Sequence, residues 1–105
     1  MNEKRYDNAW EPFSDSLEEA MANQLKADLI LAIRSYIVAN GWNQKDAALQ
    51  LNISQPRVSY IVNGVISKFS IDKLYEILLR CGYRISVNSD SGKLKAGIIK
   101  YNHAA

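Results

Sequence analysis

The run from Gln55 to Asn63 holds the side chains whose types and spacing could do chemistry. Gln55 brings an amide, Arg57 a guanidinium, Ser59 a hydroxyl, Tyr60 a phenol and Asn63 a second amide. Amides and guanidinium forks pair with base edges, while hydroxyls and cations hold phosphate oxygens. The apolar members of the run, Val58, Ile61 and Val62, recur at helical spacing and predict a buried face. Gln55, Pro56, Ser59, Tyr60 and Asn63 fall on the other side at steps of four and five, with Arg57 at its edge. A helix with one apolar face and one hydrogen-bonding face suits a major groove.

Other chemistry has little to stand on. The one histidine, His103, is the third residue from the end, in a polar tail. The one cysteine, Cys81, has apolar neighbours near a predicted helix end and reads as a core thiol rather than a nucleophile. No zinc-ligand spacing, phosphate-cradling glycine loop or nucleophile–base–acid set stands in the chain. Enzyme readings are rejected on these grounds, and no cofactor or metal is expected.

The residues around this run must position it. Asn43 is an N-cap for a short helix, and Asp46 places a carboxylate near that helix's free amides. Trp42 before the cap is placed to pack on Ala47 as a hydrophobic staple. Ala47, Ala48 and Leu51 make a small apolar face, and Ala48 is expected to stay small where two helices cross. Asn52-Ile53-Ser54 is a tight turn: Asn52 tolerates the left-handed conformation, Ile53 plugs the core, and Ser54 caps the second helix. Pro56 in the first turn removes an amide with no helical partner. Gly64 ends the helix.

At these residues the sequence resembles the helix-turn-helix of the lambda-repressor/Cro type, also called the xenobiotic-response-element type. The match runs through Gln44, Ala48, Ile53, the run Ser54-Gln55-Pro56-Arg57-Val58-Ser59, and Asn63-Gly64. Leu25 to Gly41 looks like the preceding helix, and Lys68 to Leu74 like the start of the following one. Cys81 to Val87 is similar to a short C-terminal strand. The whole, over roughly residues 14 to 88, resembles the small HigA-type antitoxins and related one-domain repressors. It departs from them at Asn43, where threonine is commoner, and at Tyr60, which is bulkier than the usual residue. The resemblance implies a mainly α fold, a lambda-repressor-like bundle of about five helices with a short C-terminal β-strand or hairpin. It implies a DNA-binding surface of Gln44, Ser54, Gln55, Pro56, Arg57, Ser59, Tyr60, Asn63 and Lys68. It also implies a repressor that binds double-stranded operator DNA as a homodimer, as the antitoxin to a basic ribonuclease-like toxin. The alternatives are a stand-alone phage- or prophage-type repressor and a module that mainly neutralises a protein partner.

At 105 residues the chain has the length of one domain with a modest core. No apolar run is long enough to cross a membrane, and the N-terminus has no apolar signal-peptide core. With a lone cysteine, this suggests a reducing cytoplasm. The net charge of +2 is unevenly spread: residues 1–28 hold seven acids and three bases, and residues 29–105 hold four acids and ten bases. A basic body suits phosphate, and an acidic leader suits a basic partner.

Three parts are expected: a leader over 1–13, a helix-turn-helix domain over 14–82, and a C-terminal strand or hairpin and tail over 83–105. Asn2 to Arg5 reads as a frayed end rather than a minor-groove arm. Tyr6, Trp10 and Phe13 are apolar enough to pack on the domain or a partner. Pro12 discourages helix before it, so a helix is expected to begin at Ser14 or Ser16. Its continuity past Asn23 stays open. Leu25 to Asn40 is a helix with Leu25, Leu29, Ile33, Tyr36 and Ile37 in one stripe. Ile30, Leu31 and Val38 lie partly outside the stripe and call for a second partner. Val65 to Phe69 reads as a loop. Ser70 caps a helix to Arg80 with Ile71, Leu74, Tyr75 and Leu78 inward, and Gly82 ends it. Tyr83, Ile85 and Val87 alternate with polar residues as a half-buried strand. That strand pairs either with Leu94–Tyr101, through Ser89 to Gly92, or with its own copy in a second subunit. The pairing between subunits is preferred, which makes Tyr83, Ile85 and Val87 the dimerisation residues, and both pairings can coexist in a four-stranded sheet.

Overall fold

Helical periodicity over Leu25–Asn40 extends well upstream in the computed structural model, which describes residues 10–101 and the side chains from residue 16 onward. A single helix α1 spans Trp10–Ala39, so the segments on either side of Asn23 are one element. Among the described residues, four α-helices therefore stand where about five were expected. α1 already includes Pro12, upstream of the start expected at Ser14 or Ser16. The readings for Asn2–Arg5, for the side chains of Tyr6, Trp10 and Phe13, and for His103 lie outside the described residues.

α2 (Gln44–Leu51) and α3 (Gln55–Val62) follow. A 3₁₀ turn at Ile66–Lys68 then stands where a loop was expected, and α4 covers Ile71–Arg80. Each cap has its chemical cause. Asn43 Oδ1 accepts from the Asp46 amide at 2.8 Å, Ser54 Oγ from Arg57 at 3.3 Å, and Ser70 Oγ from Lys73 at 3.1 Å. Asn52 closes α2 in the left-handed region at φ 55°. α3 ends with Gly64 at φ +70°, and the Val65 amide reaches back to the Tyr60 carbonyl at 2.8 Å. This wrap needs a residue without Cβ strain at position 64.

The core lies where α1, α3 and α4 meet. Leu29, Ile33 and Ile37 of α1 pack with Leu51, Val58, Ile61, Leu74, Ile77 and Leu78, and all are buried. Ile77 belongs to this core although the inward set read from the sequence did not include it. Ile30 is buried too, on the side where Gly64 and Ile66 approach α1, while Leu31 and Val38 stay exposed. Ala47 is fully enclosed; Ala48, the alanine expected to mark the helix crossing, is half-buried against the same core. The tighter steric limit therefore falls on Ala47. Trp42 packs edge-on against Tyr36, centroids 5.6 Å apart, and Tyr36 in turn meets Tyr83 at 6.0 Å.

The C-terminal strand finds its partner within the chain. β1 (Tyr83–Asp90) and β2 (Lys93–Lys100) form an antiparallel hairpin in which Tyr83 faces Lys100 and Asp90 faces Lys93. Ser91 (φ 53°) and Gly92 (φ 80°) make the two-residue turn, whose paired positive φ values match the strands' right-handed twist. The hairpin is therefore formed within the chain: β2 satisfies one edge of β1 and leaves the other to the choice between a neighbouring group and a second subunit. The other edge is blunted near the helices, where the Ile85 amide donates to Tyr75 Oη at 3.4 Å. The Tyr101 hydroxyl donates to the Leu79 carbonyl at 2.6 Å and ties the hairpin base to α4. Tyr83 and Ile85 are half-buried, but Val87 is exposed, because the hairpin runs on past the helices. Among the described residues, no helix is long and apolar enough to cross a membrane.

Two arginines fix the paired helices. Arg34 of α1 donates to the Val62 carbonyl at the end of α3, at 2.8 Å. Arg80 of α4 donates to the Leu51 and Asn52 carbonyls at the end of α2, at 2.9 and 3.3 Å. Each places a cation where the helix dipole is negative and occupies carbonyls that have no helical donor.

Three outcomes follow from this packing. Ala47→Leu should lower stability by about 1–3 kcal/mol through overpacking, measured by chemical denaturation. Arg80→Met should cost about 1–2 kcal/mol in the same assay, since half-exposed carbonyls regain water in place of the guanidinium. Burial pushes the Cys81 thiol from its ordinary 9.0 up to about 12. A raised acid pKa favours the folded state below the unfolded value, so this contribution should be full below about pH 9 and fade as pH climbs toward 12. At neutral pH, a thiol reagent should modify Cys81 only after unfolding.

Candidate nucleic-acid interface

α3 stands on two anchors. Val58 and Ile61 are fully buried, which turns the opposite side of this two-turn helix outward. Val62, expected inward with them, is half-buried. The leading edge, Gln55, Pro56 and Arg57, is exposed, and so is Asn63 at the far end. Gln44 is exposed at the start of α2, as is Lys45 beside it. Lys45 was not among the expected site residues, although its place in the first turn of α2 was visible in the sequence.

The nine expected residues do not all present free groups. The Asn63 amide nitrogen donates to the Ser59 carbonyl at 2.9 Å and to Ser59 Oγ at 3.3 Å. These two side chains therefore satisfy one another along the last turn. Tyr60 is half-buried and packs edge-on against Phe69, centroids 6.4 Å apart. Its ring supports the 3₁₀ turn more than it faces outward. Lys68 Nζ lies 5.5 Å from the Tyr60 centroid, so the phenol face holds the lysine beside α3. The groups left outward are those of Gln55, Arg57, Gln44 and Lys68, with Pro56 shaping the edge.

The backbone adds donors. In α3, Pro56 has no amide, Ser54 Oγ takes that of Arg57, and the Val58 amide bonds the Ser54 carbonyl. That leaves the Gln55 amide as the outward donor of the first turn. In α2, Asn43 takes the Asp46 and Ala47 amides and leaves those of Gln44 and Lys45. Such amides at the positive end of a helix suit phosphate oxygens.

Electrostatics near the site are mixed. Glu76 forms ion pairs with Lys73 at 3.0 Å and Arg80 at 3.3 Å. The Lys73 hydrogen bond and charge, with lesser help from the charges of Arg80 and Arg57, hold its carboxyl below the usual range. Arg57 thus has a carboxylate within Coulomb reach. Arg34 and Arg80 were missing from the site read in the sequence because they act behind the helices. The available signals were weak: an arginine beside an apolar stripe, and a base in a last helical turn.

The described arrangement is an N-capped helix, a left-handed asparagine turn, and a second capped helix presenting Gln55 and Arg57. Comparison with curated proteins and comparison with solved structures each gave no match. The family profile described as "Helix-turn-helix domain" matches residues 12–89, which takes in every element from the first turn of α1 to the end of β1 but for one residue. The chain belongs to the helix-turn-helix domain family and is a DNA-binding regulator of that kind.

Proposed function

We propose that this protein is a sequence-specific repressor that works as a two-fold dimer, and that it is the antitoxin of a type II toxin–antitoxin pair repressing its own operon. The observation that carries the repressor reading is the exposed Gln55-Pro56-Arg57 edge on a helix anchored by Val58 and Ile61. In the bound state each subunit lays α3 in a major groove, with half-sites roughly 34 Å apart. The Gln55 amide pairs bidentately with adenine, and Arg57 reaches guanine or a phosphate. The N-terminal amides of α2 and α3, behind Gln44 and Ser54, grip phosphates on either side. Lys68 adds a cation at the end of the same surface.

The antitoxin reading draws on a different feature. Residues 1–28 hold seven acids against three bases, a charge that suits a basic ribonuclease-like toxin. Together with the resemblance of the motif to HigA-type antitoxins, this favours a cytoplasmic pair of proteins over a lone repressor. A small basic reading frame beside this one supports the pair; its absence favours the stand-alone repressor. A pure interaction module separates from both, since only a repressor shifts its own promoter DNA when purified alone.

Gln55→Ala should lose about 1–3 kcal/mol of specific binding per half-site while its melting curve stays that of wild type. Gel shifts at matched salt measure the loss. Unchanged operator affinity would remove Gln55 from the reading edge.

A further inference from the structure

The first half of α1 extends beyond the core. At 1.5 Å per residue, the 30-residue helix is about 45 Å long, yet among its described side chains the buried positions begin only at Leu29. Leu17 and Met21, at i and i+4, are 50% and 58% exposed, and Leu25 continues their stripe toward the core. A surface helix of this kind is marginal in water unless its apolar stripe is covered.

The hairpin has a matching surface. Its register puts Tyr83, Ile85 and Val87 on one face with Leu94, Ala96 and Ile98. The inner residues of that face meet the core, while Val87 and Leu94 are 66% and 77% exposed. Between the two surfaces lies an open groove of about 350 Å³, lined by Leu25 and Asp28 of α1 and by Ile85, Ala96, Gly97 and Ile98 of the hairpin. One apolar band thus runs from Leu17 through the groove to Leu94.

Charge identifies what covers it. From Trp10 to Asp28, α1 carries five acids and one base, net −4; from Tyr83 to Lys100 the hairpin carries four bases and one acid, net +3. Among the described residues, no ion pair joins α1 to the hairpin of its own chain. We infer that the band is the interface with a second copy of this chain. The first half of each α1 lies in the partner's groove, antiparallel to the partner's own α1 and against the partner's hairpin. Two acidic helices side by side repel; the lysines of the hairpins, Lys93 and Lys95 foremost, supply the opposite charge. The contact is isologous, because each protomer offers both the helix and the groove. This deepens the dimer reading above and rests on it only for the two-fold arrangement.

Sedimentation of the full chain without DNA tests the interface. Wild type should sediment as a dimer. Leu17→Glu/Met21→Glu should weaken the dimer at least about tenfold, roughly 1.4 kcal/mol, with its helical signal retained. Glu18→Lys/Glu19→Lys and Lys93→Glu/Lys95→Glu should each weaken self-association, and an equimolar mixture of these two variants should regain a tight heterodimer. That rescue keeps the test decisive where the Glu substitutions unfold the helix. A monomeric wild type, or a dimer indifferent to all the substitutions, overturns the interface. A monomer that still binds a single half-site does so while leaving the DNA reading in place. A charge-sensitive dimer that binds no DNA supports the interface and sinks that reading instead.

Discussion

Burial of Val58 and Ile61 is the constraint on which the rest of this structure depends. α3 has only two turns, too few to hold itself together in water. Its position comes from those two side chains set among Leu29, Ile33, Leu74 and Ile77, and from the guanidinium of Arg34 on its last carbonyl. With that side fixed, the Gln55–Arg57 edge has one direction open to it. The exposed surface of α3 is in this sense a consequence of the core: whatever is outward on α3 is what the anchors leave outward.

The same economy governs the charged residues. Arg34 and Arg80 close the ends of α3 and α2, so their cations are spent on helix carbonyls. Glu76 then balances Arg80 and Lys73, and weighs on Arg57. The cations that remain on the α2–α3 side, Lys45, Arg57 and Lys68, flank the helix N-termini and the 3₁₀ turn. Position, rather than the modest net charge, gathers positive charge on this side.

The two ends of the chain answer a different requirement. A lone hairpin is marginal in water, and so is the unsupported half of α1. The hairpin is secured at its base by Tyr75, Tyr101 and the edge-on contact of Tyr83 with Tyr36. Beyond that base, both elements carry apolar residues into solvent, and they carry opposite charge.

The sequence by itself determined the local elements whose causes are local. Asn43, Ser54 and Ser70 were legible as caps, Asn52 as the left-handed turn, and Gly64 as a helix stop, because a side-chain oxygen or an absent Cβ acts within a few residues. The outward Gln55 and inward Val58 and Ile61 were legible from the 3.6-residue period. Tertiary structure alone decided the rest. Tyr60 was placed on the reading face by spacing, but the approach of Phe69, nine residues on, draws it into packing. Ser59 and Asn63 shared that face, yet one helical turn let them satisfy each other. Ala47 and Ala48 are alike in sequence, and only the crossing of the helices shows which is enclosed. The Tyr83–Asn88 pattern demanded a partner without naming it; the Ser91-Gly92 turn supplied one in the same chain. Arg34 and Arg80 find their carbonyls 28 and 29 residues away, a separation that no local pattern encodes.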